Sequence, residues 1–412
     1  MRIAVLTRYI HDAGGVEAYL RSVVPAIVAL GNEVAVWHEF SRPAGREGYL
    51  GSSIPTRHLA PQHIDRAISE LGEWKPDVLF LNGLSVPSVE MRLTSAQPTV
   101  TFLHGYHGAC ISGSKTRAFP APSPCGRPLG PGCLLQYYPR RCGGLNPVVM
   151  VDSYREQRLR QRLLKRSTFV ATFSEHMRRE AISNGVDEAR AVHLPAFNPA
   201  WPLASEPAFD TGNPLARFAT RGPWHVAFVG RMERLKGAHV LMEAVGLLDR
   251  DLRSRLRVTF AGDGRERLQL ERAAARISDV SIDFPGWIDG SQRDELFRTL
   301  DLLVVPSIWP EPLGLIGLEA AAAGVPAVAF DVGGIGDWLE DGTTGRLVRG
   351  TPPSSRALAA AITDSLSDMK RLREWAAHAL DTARHRTVRA HVDALDTIFK
   401  RAAEYHSRCP IK

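Results

Sequence analysis

Two glutamates are the residues best placed to do chemistry. In EPLGLIGLE, Glu311 and Glu319 stand eight positions apart around an apolar, glycine-containing stretch. The preceding DLLVVPS reads as a strand, and LIGLEAAAAG reads as a helix closed by Gly324. Glu311 therefore falls in the strand-to-helix loop, and Glu319 falls about one to two turns inside the helix. A helix start leaves backbone N–H groups unpaired and presents the positive end of the dipole, which makes it an anion site. Gly314 lets a ligand come close to the backbone. A phosphate fits at the N–H groups of Gly314 and Leu315. The two carboxylates can then accept hydrogen bonds from hydroxyl groups on either side of it. A nucleotide sugar has this layout, with sugar, diphosphate and ribose in a row.

Further candidates lie in other loops that follow strands. VGRMERLKG, residues 229–237, carries Arg231 and Lys236. Two cations there can balance the charge growing on a diphosphate leaving group and replace a metal. The competing reading is a solvated basic turn. The Asp-x-Asp pair Asp249 and Asp251 follows a helix, away from the strand-end loops, and reads as solvated surface. FLHGYHG places His104 just past a strand, with His107 as a second candidate. Near the N-terminus, Gly14 and Gly15 form a glycine loop between the first strand and the first helix.

The elements that must hold these residues repeat in two series. Met1–Thr7, EVAVWHEF, DVLFLNG, PTVTFLHG and TFVATFSE are strands, with a helical pattern from Val16 to Leu30 between the first two. Residues 195–223 lack a clear period, are rich in Pro, Gly and Ala, and read as a linker. Strands and helices then alternate again from HVAFVG to VPAVAFDVGG. A chain of 412 residues exceeds what one core usually organises. The expected architecture is α/β, with two Rossmann-like domains facing across a cleft where the ligand binds. Residues 1–205 form an acceptor-side domain with a Cys-rich insertion near 105–145, and 206–390 form the nucleotide-sugar domain. A last helix in 391–412 packs back on the first domain through Val392, Leu395, Ile398 and Phe399.

EPLGLIGLEAAAAGVPAVAFDVGGIGDWLEDGTTGRLV resembles the signature of retaining glycosyltransferases of the GT-B fold, close to family four (glycosyl transferases group 1). In that family a glutamate is followed by seven residues and a second glutamate. The resemblance is dense over 225–350 and thinner over 1–40 and 165–195. It implies that Glu311 contacts the donor sugar and Glu319 the nucleotide ribose. It implies that Arg231 and Lys236 face the diphosphate, that the Gly14–Gly15 loop approaches it, and that His104 lies near the transferred sugar. AGDG (261–264) and FPGW (284–287) match segments near the nucleotide. Retention of configuration, with the leaving phosphate taking the acceptor proton and no catalytic metal, is implied by the resemblance alone. So are hexosyl transfer and an acceptor that is a glycan or lipid-linked intermediate of surface polysaccharide. Two other readings keep the same site: a non-catalytic nucleotide-sugar-binding partner of another transferase, and a GT-B nucleotide-sugar epimerase.

The resemblance fails between about 105 and 165. Cys110, Cys125, Cys133 and Cys142, four of the five cysteines, fall there with 14, 7 and 8 residues between them. The segment is poor in apolar residues, and a structural zinc or an iron–sulfur cluster would order it. The spacing lacks the tight pairs usual for zinc, so unliganded thiols are the other reading. SYREQRLRQRLLKRS is a basic helix with Leu159, Leu163 and Leu164 on one stripe. It either rests on anionic lipid as a peripheral contact or is a solvated helix with one buried stripe. The net charge of +7 favours acidic partners such as nucleotides. No nucleic-acid module with interleaved aromatics is visible, so nucleic acid is not expected as a partner. No signal peptide pattern and no apolar run of spanning length occurs, and a cytoplasmic protein is expected.

Overall fold

The computed structural model describes all residues except 12–13, 41–47, 49, 51–53, 60–63, 96, 199–214, 216–217, 219–222, 351 and 409–412, and the side chains of 406–408. The chain divides into two compact units. The first is Met1–Lys115, Gly126–Ala204 and Thr387–Lys412; the second is Thr116–Cys125 and Ser205–Arg386. Most of the linker expected over 195–223, with the expected boundary at 205, lies outside the described residues.

The first unit opens with β1 (Arg2–Tyr9), α1 (Gly15–Ala29), β2 (Glu33–Phe40), β3 (Thr56–His58), α2 (Ile64–Trp74), β4 (Val78–Leu81), α3 (Pro87–Leu93) and β5 (Thr99–Phe102). A short antiparallel hairpin of β6 (Thr116–Arg117) and β7 (Ser123–Pro124) groups with the second unit. The first unit resumes with α4 (Gly132–Tyr137), α5 (Pro147–Arg166), β8 (Phe169–Thr172), α6 (Glu175–Ser183) and β9 (Ala191–His193). Its seven strands pair in the order β3-β2-β1-β4-β5-β8-β9, parallel throughout. β4, β5 and β8 are buried along their whole length, which is why they read as unbroken apolar or Thr-containing runs.

The second unit runs β10 (Trp224–Val229), α7 (Ala238–Leu247), α8 (Arg250–Arg253), β11 (Leu256–Ala261), α9 (Arg267–Ala274), β12 (Ser281–Gly286), α10 (Gly290–Thr299), β13 (Leu302–Val305), α11 (Leu315–Ala322), β14 (Ala327–Phe330), β15 (Gly345–Val348), α12 (Ser355–Ser367) and α13 (Met369–Arg384). Its six parallel strands are ordered β12-β11-β10-β13-β14-β15. The last helix, α14 (Val388–Arg408), packs on α1, β4 and β5 of the first unit. Both sheets reverse their winding beside the first strand, at β1/β4 and β10/β13. Ligands of such sheets bind at the carboxyl ends of strands around these switch points.

β3, β9 and β15 were not marked by the sequence. Each is three or four residues long, and β3 is exposed at every position, so no period of two can show. α5 begins at Pro147, ahead of the basic stretch. The side chain of Asn146 accepts from the N–H groups of Val148 and Val149 and starts the helix there.

The four cysteines, read either as metal ligands or as unliganded thiols, are not gathered into one site. Among the described residues no three His, Cys, Asp or Glu side chains are placed to hold a metal. Each of three thiols has a local partner instead. Cys110 Sγ accepts from Lys115 N at 3.3 Å, Cys133 Sγ lies 3.8 Å from Pro128 O, and Cys142 Sγ lies 3.9 Å from Gln136 O. Cys125 sits just past β7 as a free thiol. Cys133 and Cys142 pack as small apolar side chains on the Ile111, Leu129 and Tyr137 cluster. The segment takes its order from Lys115, which is 1% exposed. Lys115 Nζ donates to Arg127 O at 2.7 Å and Ala109 O at 3.4 Å, and pairs with Glu180 of α6 at 2.7 Å. A buried cation needs its charge matched and its N–H bonds satisfied, and here one carboxylate matches the charge and two carbonyls accept its bonds.

Candidate active site

In the second unit, the loops after β10, β11 and β13 are pressed together by glycines. Gly237 has φ 73°, and a Cβ there would lie 1.8 Å from Pro306 O. Gly262, at φ 132°, would bring a Cβ within 2.0 Å of Gly230 O. Only glycine permits both the left-handed backbone and the close approach. Backbone bonds then tie the loops: Met232 N to Asp263 O, Glu266 N to Met232 O, and Ile308 N to Leu235 O, at 2.8 to 3.0 Å. Arg231 and Lys236 are thus carried on a stiff turn, with Arg231 exposed.

Lys236 and Glu311 are brought together. Lys236 Nζ donates to Glu311 Oε1 at 2.6 Å, and Ser307 Oγ donates to the same oxygen at 2.6 Å. The glutamate side chain is 5% exposed and that of the lysine 26%. Lys236 Nζ also stands 5.3 Å from the Trp309 ring centroid. The backbone of Glu311 is pinned by Gly334 N, which donates to Glu311 O at 2.7 Å. Gly333, at φ 66°, lets that chain pass, since a Cβ would lie 2.2 Å from Glu311 O.

Gly314 caps α11 in the left-handed region, at φ 85° and ψ 58°, without a side-chain cap or an acidic residue in the first turn. The first N–H groups of α11 have no intrahelical acceptor, and the dipole's positive end is unopposed by a local acid. Trp338 braces this start by donating its indole N–H to Leu313 O at 2.7 Å. Gly317 leaves room for the indole, because a Cβ there would lie 2.1 Å from the ring. Glu319, one turn on, lies 3.3 Å from Arg293 Nη1 and is 12% exposed at its side chain. Burial raises its carboxyl above the usual range, while Arg293 pulls it back down. The two signature glutamates therefore have separate cationic partners. Arg293 was missed in the sequence. Its only signal is its place four residues after Asp289, which starts α10 with a reciprocal cap to Gln292. Asp249 and Asp251 are exposed around α8.

The first unit builds a different kind of site. His104, just past β5, has Nε2 3.0 Å from Asn82 Oδ1. Asn82 Nδ2 donates to Phe80 O, so its oxygen faces the histidine and Nε2 carries the proton. Burial, reinforced by His107 and His391, holds the His104 imidazole down to about 3. It is a neutral ring whose Nδ1 is an acceptor. The ring packs on Phe102 and Tyr19 at centroid distances of 4.7 and 5.1 Å. Tyr19 OH is 3.0 Å from His391 Nε2, and His391 Nδ1 is 2.8 Å from Pro195 O. The carbonyl can only accept, so Nδ1 of His391 donates and Nε2 accepts from Tyr19. Tyr19 and His391 escaped the sequence reading because 372 positions separate them.

Gly14 and Gly15 differ from the glycines of the second unit. Gly14 is extended at φ 175°, a conformation open to any residue. A Cβ at Gly15 would meet no atom of the described residues within 4 Å. His104 and His107, with Arg8, Asn82, Glu90 and Arg160, line a cavity of about 80 Å3. Arg160 of the basic helix is buried here, bonded to both oxygens of Glu90 at 3.2 and 3.0 Å and to Leu84 O and Ser85 O at 3.0 Å. Leu163 and Leu164 are buried beside it, whereas Leu159 is half-buried. This half of the helix thus has the buried stripe of a solvated helix.

Residues 217–381 match the family described as glycosyl transferases group 1. A D-inositol 3-phosphate glycosyltransferase of Paenarthrobacter aurescens is 34% identical over 168 residues, 40% of this chain and 39% of that protein. A glycogen synthase of Mycobacterium tuberculosis is 34% identical over 190 residues, 45% of this chain and 39% of that protein. Each alignment spans about two fifths of the relative. Among solved structures, Anabaena HepE in complex with UDP-glucose matches with TM-score 0.63 at 19% identity, over 99% of this chain and 100% of that one. Sucrose-phosphate synthase from Thermosynechococcus elongatus matches with TM-score 0.67 at 17% identity, over 97% and 98%. These likenesses establish the shared two-sheet fold. No helix among the described residues is long and apolar enough to cross a membrane.

Proposed function

We propose, from the premise that this chain is a member of the glycosyl transferases group 1 family and has the GT-B fold, that it is a retaining hexosyltransferase. It moves a sugar from a nucleoside-diphosphate donor to a hydroxyl of a glycan or lipid-linked acceptor. We place it in the cytoplasm, in the building of a surface polysaccharide. One observation carries the reading: Lys236, Glu311 and the uncapped start of α11 converge around the β10/β13 switch point.

In this reading the diphosphate lies on the N–H groups of Gly314 and Leu315, with Arg231 and Lys236 supplying positive charge as the bond to the sugar breaks. Two cations and a helix start meet that charge without a metal. Lys236 moves its hydrogen bonding from Glu311 to phosphate, and Glu311 accepts from a sugar hydroxyl. Glu319, held in place by Arg293, accepts from the ribose. The neutral Nδ1 of His104 accepts from another sugar hydroxyl. The Gly14–Gly15 loop leaves space for the donor, and the first unit holds the acceptor. The acceptor oxygen attacks from the face the phosphate leaves, and that phosphate takes the proton. No protein nucleophile is required. UDP-glucose, with which the similar HepE structure is in complex, is the first donor to try.

The test is a thermal-shift panel of UDP-, GDP-, ADP- and CDP-sugars on the wild type and on Glu319→Ala and Arg231→Ala. A donor at about 100 times its dissociation constant should add about 2.7 kcal/mol to the wild type and much less to the variants. No stabilisation by any nucleotide sugar overturns the donor site. A transfer product of inverted configuration overturns the mechanism.

A further inference from the structure

The segment between β7 and the middle of α5 has a surface that the transferase reading does not use. Thirteen large apolar side chains are exposed among the described residues, and five of them fall within 135–149: Leu135, Tyr138, Leu145, Val148 and Val149. Leu145 is 84% exposed and Leu135 77%. They are not scattered. Leu135 and Tyr138 lie three apart at the end of α4, on one side of it. Tyr138 OH donates to Leu145 O at 3.4 Å, which joins that side to the chain entering α5. Asn146 then fixes Val148 and Val149 in the first turn of α5. Beneath, the two helices share one core, in which Met150 and Tyr154 of α5 pack with buried Tyr137 of α4. The apolar side chains therefore stand on a fixed base.

The charge around them is predominantly positive, and exposed Asp152, one turn along α5 from Val148 and Val149, is paired with Arg155 at 3.6 Å. No Asp or Glu occurs from residue 91 to residue 151, a run that holds Arg92, Lys115, Arg117, Arg127, Arg140 and Arg141. Lys115 is spent inside, but Arg127 and Arg141 are exposed and Arg140 is half-buried. Apolar side chains set among arginines, with the one adjacent acid, Asp152, matched by Arg155, complement a surface that is apolar inside and anionic outside. Long arginine side chains can stay at the charged layer while the apolar tips pass it.

We propose that the face made by Leu135, Tyr138, Leu145, Val148 and Val149, with Arg127, Arg140 and Arg141, docks on an anionic lipid bilayer. The docking face is this segment and the first turn of α5. The basic half of α5 is not part of it, because its Arg160, Leu163 and Leu164 are turned into the core. The inference does not depend on the transferase reading.

Flotation of the full chain with vesicles tests it, using phosphatidylcholine alone and phosphatidylcholine with phosphatidylglycerol in equal parts. The wild type should float with the anionic vesicles, stay behind with the neutral ones, and be released by raised salt. The double variant Leu145→Asp/Val148→Asp should float at least about tenfold less, and so should Arg140→Gln/Arg141→Gln. Leu268→Asp, at an exposed apolar position of the second unit, should float like the wild type. All positions but Arg140 are exposed, and unchanged circular dichroism and melting show that the variants are folded. Absence of wild-type flotation on anionic vesicles overturns the proposal, as does flotation of both double variants at the wild-type level. Equal flotation on neutral vesicles overturns the role of the arginines. Sedimentation velocity without lipid gives a further check. A dimer that Leu145→Asp/Val148→Asp disperses would assign the face to a second copy of the chain and overturn bilayer docking.

Discussion

The glycines of the candidate site differ between the two units. In the second unit a Cβ at Gly237 or Gly262 would meet a carbonyl oxygen at 1.8 or 2.0 Å, so the fold itself requires glycine. In the first, Gly14 is extended and a Cβ at Gly15 would meet no atom of the described residues within 4 Å. None of the described residues of the first unit forbids a side chain there. The same contrast runs through the sites. The second unit places charges on loops braced by backbone, in the pairs Lys236–Glu311 and Arg293–Glu319. The first places a neutral histidine in an aromatic packing of Phe102, Tyr19 and His391. One unit presents charge on its strand-end loops. The other holds an uncharged imidazole, with the Arg160–Glu90 pair buried beside it.

The charged side should break most visibly. Lys236→Ala or Arg231→Ala should lower kcat by about 100- to 1,000-fold, read as nucleotide release at saturating donor. Lys236→Ala also strands the buried Glu311 carboxylate and should lower stability by about 1–3 kcal/mol in denaturant melts. Adding Glu311→Gln to it should restore part of that stability but none of the activity. An unaltered kcat in both single variants would leave the charged site without a function.

The glycine contrast gives the next largest effect, with opposite signs in the two units. Gly237→Ala should destabilise strongly, by more than about 2 kcal/mol, because the added carbon must displace backbone. Gly15→Ala should leave stability unchanged or raise it by a few tenths of a kcal/mol at a helix start. Its donor KM should nevertheless rise several-fold if that space is reserved for a ligand. A Gly15→Ala enzyme with unaltered KM would mean the space is incidental.

The neutral site should show itself through pH. Burial holds His391 down to about 4, below its ordinary 6.5. Between those values the unfolded chain binds a proton that the folded chain refuses. Stability is therefore full above about pH 6.5 and falls as pH drops toward 4. This one residue should cost about 2 kcal/mol between pH 7 and pH 5. His391→Phe should flatten that part of the melting-temperature profile. By loosening Tyr19 against His104 it should also lower kcat a few-fold with little change in KM. A profile as steep as that of the wild type would show that His391 is not buried and neutral.

The same contrast explains what could be read in advance. The longer strands and the places of the second-unit residues were legible because Arg231, Lys236, Gly314 and Glu319 lie in short loops or beside them, where spacing along the chain is spacing in the fold. β13, α11 and β14 announce themselves by composition. Arg293, by contrast, reaches Glu319 from a helix that is periodic but weakly apolar. Tyr19 and His391 meet only because α14 packs on α1, and no local pattern encodes a contact across 372 positions. The cysteines misled for a related reason. Their crowding in sequence suggested convergence, yet Cys110, Cys133 and Cys142 each take a partner within a few residues.

Lys115 has a consequence for how this chain can vary. It anchors the acid-free segment chiefly through main-chain oxygens, those of Ala109 and Arg127, with Glu180 as the one side-chain partner. Every amino acid supplies a carbonyl. The residues between Lys115 and Asn146 share the duty of holding their shape between that lysine and their own buried Leu129 and Tyr137. Their outward face can be rewritten in chemistry while that base and the sheet behind it stay as they are. Descendants of this chain should differ most there, and least at positions 115 and 180.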